Sequence, residues 1–172
     1  IQVLPRSASA EDMANPEAYP ALRNLALTVT RAEVELPAPR TPTTPWGLVM
    51  DSGFTEGGTS SVIALGDGTA SIYLSSGGGY VGGSGHSKIQ QAAIALIGLA
   101  DKYQAGAKPV KSFPLPGKGQ VIFYFRTDSG VFSAEAPETA LLKGDHRLAQ
   151  LFFAVQKVIT EYRVLAQSVE KK

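Results

Sequence analysis

The run Ser61-Val62-Ile63-Ala64-Leu65, the tripeptide Gly66-Asp67-Gly68 and the run Thr69-Ala70-Ser71-Ile72-Tyr73-Leu74 spell a β-hairpin. Both flanks are rich in strand formers, and Asp-Gly supplies the two positive-φ positions of a type I′ turn. The consequence reaches well beyond these residues, because a hairpin requires antiparallel pairing in the sheet that contains it. A second hairpin obeys the same rule: 120–126 and 131–134 flank Thr127-Asp128-Ser129-Gly130, and Asp and Gly again punctuate two strand-type runs. Ahead of both, Trp46, Leu48 and Met50 alternate with Gly47, Val49 and Asp51, which predicts a strand over 46–54.

Three helices separate and flank these strands. After a lead of 1–14 without period, Asn15-Pro16-Glu17 supplies an N-cap, a first-turn proline and a first-turn acid. Tyr19, Leu22, Leu25, Ala26 and Val29 then place one apolar stripe on a helix of about 16–33. Pro37, Pro39, Pro42 and Pro45 favour a stiff, extended connector, which divides the chain into 1–45, a helix with its connector, and 46–172, a single α+β domain. Ile89, Ala92, Ala93, Leu96, Ala100 and Tyr103 mark a helix of about 86–104, and Ile94, Ile97 and Leu99 widen its apolar surface enough to predict a central, buried position. Residues 105–119, with three prolines and three lysines, read as a surface loop. Leu148, Leu151, Phe152, Val155, Val158, Ile159, Tyr162 and Leu165 define a long amphipathic helix of about 145–168 that Asp145 is placed to cap.

The expected order is therefore α-βββ-α-ββ-α: a five-stranded antiparallel sheet with helices packed on it in two layers, an α+β fold. This order resembles a rotation of that in profilin-like and longin-like modules, a likeness of element order alone that implies no function.

Composition narrows the function classes. A net charge of +1, from 16 basic and 15 acidic residues, supplies no general field for nucleic acid or an anionic membrane. The chain has no cysteine, which removes disulfides, thiolate metal sites and cysteine nucleophiles together and leaves the compartment open, with a cytoplasmic setting favoured. No run approaches the roughly 18 apolar residues of a membrane span. The chain opens at Ile1 without the basic, apolar, small-residue order of a signal peptide, which points to a trimmed or processed N-terminus.

Candidate sites centre on the stretch 75–88, which holds six of the 18 glycines. Gly77-x-Gly79-x-x-Gly82 matches a dinucleotide fingerprint formally, but its preceding strand belongs to a hairpin and no acid-terminated second strand follows. Ser87 before Lys88 breaks the phosphate-loop order, and His86 stands where the last glycine of G-x-S-x-G belongs. The favoured reading is a bulged continuation of the third strand beneath a helix. A looser anion site remains at the helix start, with Ser84, Gly85, His86, Ser87 and Lys88 as its residues. His86 and His146, the only imidazoles, sit at predicted helix starts where a neutral ring can cap backbone N–H groups; Asp145 and His146 are adjacent and point apart, so no metal site is expected. Lys108, Lys111 and Lys118 have only Phe113 as an interleaved aromatic, and nucleic acid is not expected there. Trp46 and Phe153 are the candidates for a partner surface, either a homodimer or another protein. The expectation is a non-enzymatic interaction or structural module without cofactor or membrane contact. Its rival is a small-anion or nucleotide-binding domain, an enzyme or a plain binder, built on 75–88.

Overall fold

The computed structural model describes residues 15–81 and 85–171. In chain order these form α1 (Ala18–Thr28), β1 (Gly47–Gly53), β2 (Thr59–Leu65), β3 (Ala70–Leu74), β4 (Gly79–Tyr80), α2 (Ser87–Gln104), β5 (Lys108–Val110), β6 (Gln120–Thr127), β7 (Gly130–Pro137), α3 (Glu138–Lys143) and α4 (Ala149–Glu170). The strands make one antiparallel sheet in the order β4-β3-β2-β1-β6-β7-β5. The α+β class and antiparallel pairing are as the hairpins require, but the sheet has seven strands rather than five.

The two additional strands lie at the sheet's edges. Gly79 pairs with Tyr73 and Tyr80 with Ile72, while Lys108, Pro109 and Val110 pair with Ser133, Phe132 and Val131. Neither segment shows alternation long enough to register as a strand, and Pro109 survives in a ladder because an edge residue can turn its missing N–H outward. The expected loop at 105–119 therefore contains β5.

Strand alternation gives the sheet two cores. Leu48, Met50, Val62, Phe123 and Phe125 face α2 and α4, with Leu96, Phe152 and Val155 packed against them. Val49, Ile63, Tyr73 and Tyr124 face the other way, toward Tyr19, Ala26 and Leu27 of α1 and toward Trp46. All seven residues of β1 are buried, as a strand covered on both faces must be. Helices thus occupy both faces, and the two-layer expectation becomes three layers.

Several local expectations also shift. The 66–68 turn has one positive φ, +92° at Gly68, and none at Asp67. Leu65 N–H bonds to Thr69 O, Gly68 N–H to Leu65 O, and the Asp67 carboxylate accepts the Thr69 N–H. This is a three-residue loop ending on a left-handed glycine, where one positive φ suffices, rather than a type I′ turn. A Cβ on Gly68 would fall 2.1 Å from Gln90 Cγ, so the loop also lies tight against α2. That helix buries Ile89, Ala93, Leu96, Ile97 and Ala100 but leaves Ile94 46% exposed: it has an outward face and is not enclosed. Between β7 and α4 the sequence shows no clear element, yet α3 forms there and ends on Gly144 at φ +81°.

The glycine stretch does not continue β3. Gly77 N–H bonds to Leu74 O and Leu74 N–H to Gly78 O, with φ of +96° and +83° at Gly77 and Gly78, so the chain reverses in a third hairpin. The reversal brings Tyr80 onto the α2–α4 side, where its ring stacks on Tyr162 at 5.4 Å.

Candidate functional site

Gly85, His86, Ser87 and Lys88 lie exposed at the N-terminus of α2; Ser84 is outside the described residues. His86 is the N-cap but makes no side-chain capping bond, and the first turn holds no acid. These residues line a groove of about 390 Å³ with Glu161, Val164 and Ser168 of α4. Free N–H groups and Lys88 suit an anion there. Glu161 does not: bonding from Lys157, at 2.7 Å, holds its carboxyl below the ordinary range, so a negative charge already lines the groove.

Trp46 and Phe153 have different fates. Trp46 is 5% exposed within the α1-side core, with the Arg126 guanidinium 4.7 Å from its ring centroid, and offers no surface to a partner. Phe153 is 39% exposed on α4, its ring 5.9 Å from that of Phe152.

Two arginines fasten α1 to the sheet. Asp51, fully buried in β1, accepts from Arg23 Nε at 2.9 Å and from the Ser61 hydroxyl, while Tyr19 donates to Ser61 at 2.7 Å. Arg23 also donates to Phe113 O at 2.9 Å and Pro114 O at 3.3 Å, and Tyr124 donates to Pro114 O at 2.7 Å. At the other end of α1, buried Arg126 donates to Ala26 O and Val29 O and so satisfies carbonyls that the helix terminus leaves open. Desolvation lowers the Arg126 pKa to about 10, which leaves it charged at neutral pH. Burial likewise pushes Tyr19 and Tyr124 up to about 12.

Burial raises the Asp51 carboxyl above its ordinary 3.8, and bonds from Arg23 and Ser61 only partly reverse this. A raised folded-state pKa means that the folded protein holds this proton more tightly than the unfolded chain. Its stabilising contribution is therefore complete below 3.8 and is lost as pH rises through the raised value. Urea unfolding of the native protein and of Asp51→Asn should show the native side chain gaining, relative to Asn, as pH falls from about 7 to about 4. A relative gain on raising the pH would refute this.

The larger groove, about 490 Å³, lies at the β5–β7 end of the sheet. Its apolar lining includes Val110, Ile122 and Leu148, and its polar lining includes Lys108, Glu135 and Arg147. Strand alternation explains its wall. Thr127 and Gly130 close a two-residue hairpin loop and form its hydrogen-bonded pair. From there Phe132, Ala134 and Ala136 bond to β6, and Val131, Ser133 and Glu135 turn their backbone groups outward. Arg126, one residue before this pair, accordingly gives its carbonyl to Trp46 N–H on the opposite side, at 2.9 Å. β5 takes up Val131 and Ser133, then the chain leaves the edge, with Ala107 N–H bonded back to Gln104 O. Among the described residues no hydrogen bond joins the outward N–H and C=O of Glu135, a residue that lines the groove, to another backbone group.

The segment before α4 forms the opposite rim. Arg147 donates to Gly106 O at 3.2 Å, and His146 Nδ1 accepts the Leu148 N–H at 3.1 Å, the capping role open to a neutral ring. Among the described residues there is no cluster of three or more His, Asp or Glu side chains able to hold a metal, and no helix is long and apolar enough to cross a membrane. None of the groove's residues belongs to the 84–88 set. The signals that mark the groove are a short proline-bearing segment opposite a longer strand and the lysine at its start, and each is ordinary in isolation.

Comparison with known proteins finds no family model, no curated protein and no solved structure that matches this chain. The likeness to profilin-like and longin-like modules belongs to the expected order α-βββ-α-ββ-α; the observed order has two further strands and a further helix, and no match supports the likeness.

Proposed function

We propose that this protein is a non-enzymatic interaction module that receives an extended polypeptide segment of a partner in the β5–β7 groove. The observation that carries this reading is the outward-facing Glu135 backbone pair at the wall of a groove of about 490 Å³, where β7 outruns its edge partner. Unpaired strand-edge groups bind a further strand by the same bonds that join a sheet, and side-chain pockets then select among segments. The exposed start of α2 is the weaker candidate, because Glu161 opposes an anion there.

Titration of the ¹⁵N-labelled protein with short Thr-rich peptides of acidic, neutral and basic composition tests the reading. Amide shifts should cluster at Lys108, Val110 and 133–136. Glu135→Pro, which deletes one outward N–H from an edge strand, should weaken every such peptide while leaving the far-UV CD spectrum unchanged. Shifts confined to other surfaces, or none with any composition, would sink it.

A further inference from the structure

We infer that the segment received in the β5–β7 groove is acidic, an inference that rests on the reading just given. Lys108 opens β5 opposite Ser133, and Tyr124 pairs with that same Ser133 from the other side. Directly paired residues share a sheet face, so the ammonium stem starts from the face that carries Tyr124 and Ser133. Arg147 stands on the opposite rim, fixed by its bond to Gly106 O. That partner is a neutral carbonyl, which orients the guanidinium without cancelling its charge. Among the described residues the ion pairs are Arg23–Asp51, Arg31–Asp128, Arg40–Asp101 and Lys157–Glu161, so neither Lys108 nor Arg147 has a carboxylate partner.

Among the described residues Glu135 is the one acid lining this groove, against Lys108 and Arg147. The balance of fixed charge is positive in a chain whose total is only +1, so the excess is a property of this place and not of the composition. Charge complementarity across a groove selects partners and suppresses those of like sign. A segment with carboxylates flanking the position opposite Glu135 meets a cation on each rim and avoids the one repulsive contact. A basic segment meets two repulsive rims.

The test is fluorescence anisotropy on the whole chain with three labelled octapeptides: alternating Thr-Glu, Thr-Gln and Thr-Lys. The Thr-Glu peptide should bind about tenfold or more tighter than Thr-Gln, and the difference should shrink between about 50 and 500 mM salt as screening grows. Lys108→Gln should reduce Thr-Glu affinity by about twofold to fivefold and leave Thr-Gln unchanged, an effect of the size expected for a rim charge. Arg147→Gln should do the same, while Lys118→Gln, outside the groove, should do nothing. Equal binding of Thr-Glu and Thr-Gln, or indifference to Lys108→Gln, overturns the acidic preference and leaves the groove reading standing. Preference for Thr-Lys overturns it in favour of recognition by Glu135. Failure of all three peptides overturns the groove reading itself, as does sedimentation showing that a second copy of the chain occupies this edge.

Discussion

Arg23→Ala should lower folding stability by about 3–5 kcal/mol, the cost of removing one partner from a buried ion pair. The Arg23 side chain is 11% exposed and that of Asp51 not at all, so water cannot replace the lost guanidinium. The truncation also strips the donor from Phe113 O and Pro114 O, and with it the tie between α1 and the segment before β6. Urea unfolding measures the loss. The double variant Arg23→Ala, Asp51→Asn separates mechanism from bulk: removing the stranded charge should recover a substantial part of the cost, since contacting residues are not additive. A single-variant cost below about 1 kcal/mol would place the pair in the class of surface salt bridges and contradict its burial.

Phe123→Ala should cost a similar amount, about 3–5 kcal/mol, for a different reason. Phe123 is fully buried in β6 and faces the apolar core beneath α2 and α4. Its loss removes apolar area and leaves a cavity that surrounding Leu, Val and Phe side chains fill only partly. The two variants should differ in hydrogen exchange. Arg23→Ala acts on the face that α1 covers and should deprotect the amides of α1 most, whereas Phe123→Ala sits at the centre of the sheet and should lower protection in β1, β6 and α4 together. Uniform deprotection in both variants would show that the two faces unfold as one unit.

Much of the fold is legible from local patterns. The hairpins at 59–74 and 120–137 and the stripe from Leu148 to Leu165 are recognisable because each residue's environment repeats with the period of its own element. Expectation and structure part where a residue's role is set by something distant. Trp46, a large aromatic following prolines, reads as a candidate contact surface, but Arg126, 80 positions away, lies over its ring and α1 helps enclose it. Gly77 and Gly78 read as a bulge and act as a turn, and the reversal sets Tyr80 against Tyr162, 82 positions away. The 84–88 set shows what a helix start offers an anion but not that Glu161 lines the same groove.

The sequence by itself determined the class: antiparallel pairing through hairpins punctuated by Asp and Gly, helices through their apolar stripes, and no thiol chemistry. Those properties follow from interactions between residues a few positions apart. Tertiary structure alone decided that α1 covers a second face, that β4 and β5 extend the sheet, and that β7 outruns its neighbour to leave Glu135 at a groove between Lys108 and Arg147. Arg23 meets Asp51 across 28 positions and Arg147 meets Gly106 across 41. Contacts of that separation leave no periodic trace, because they depend on how whole elements pack and not on the spacing of residues within any one of them.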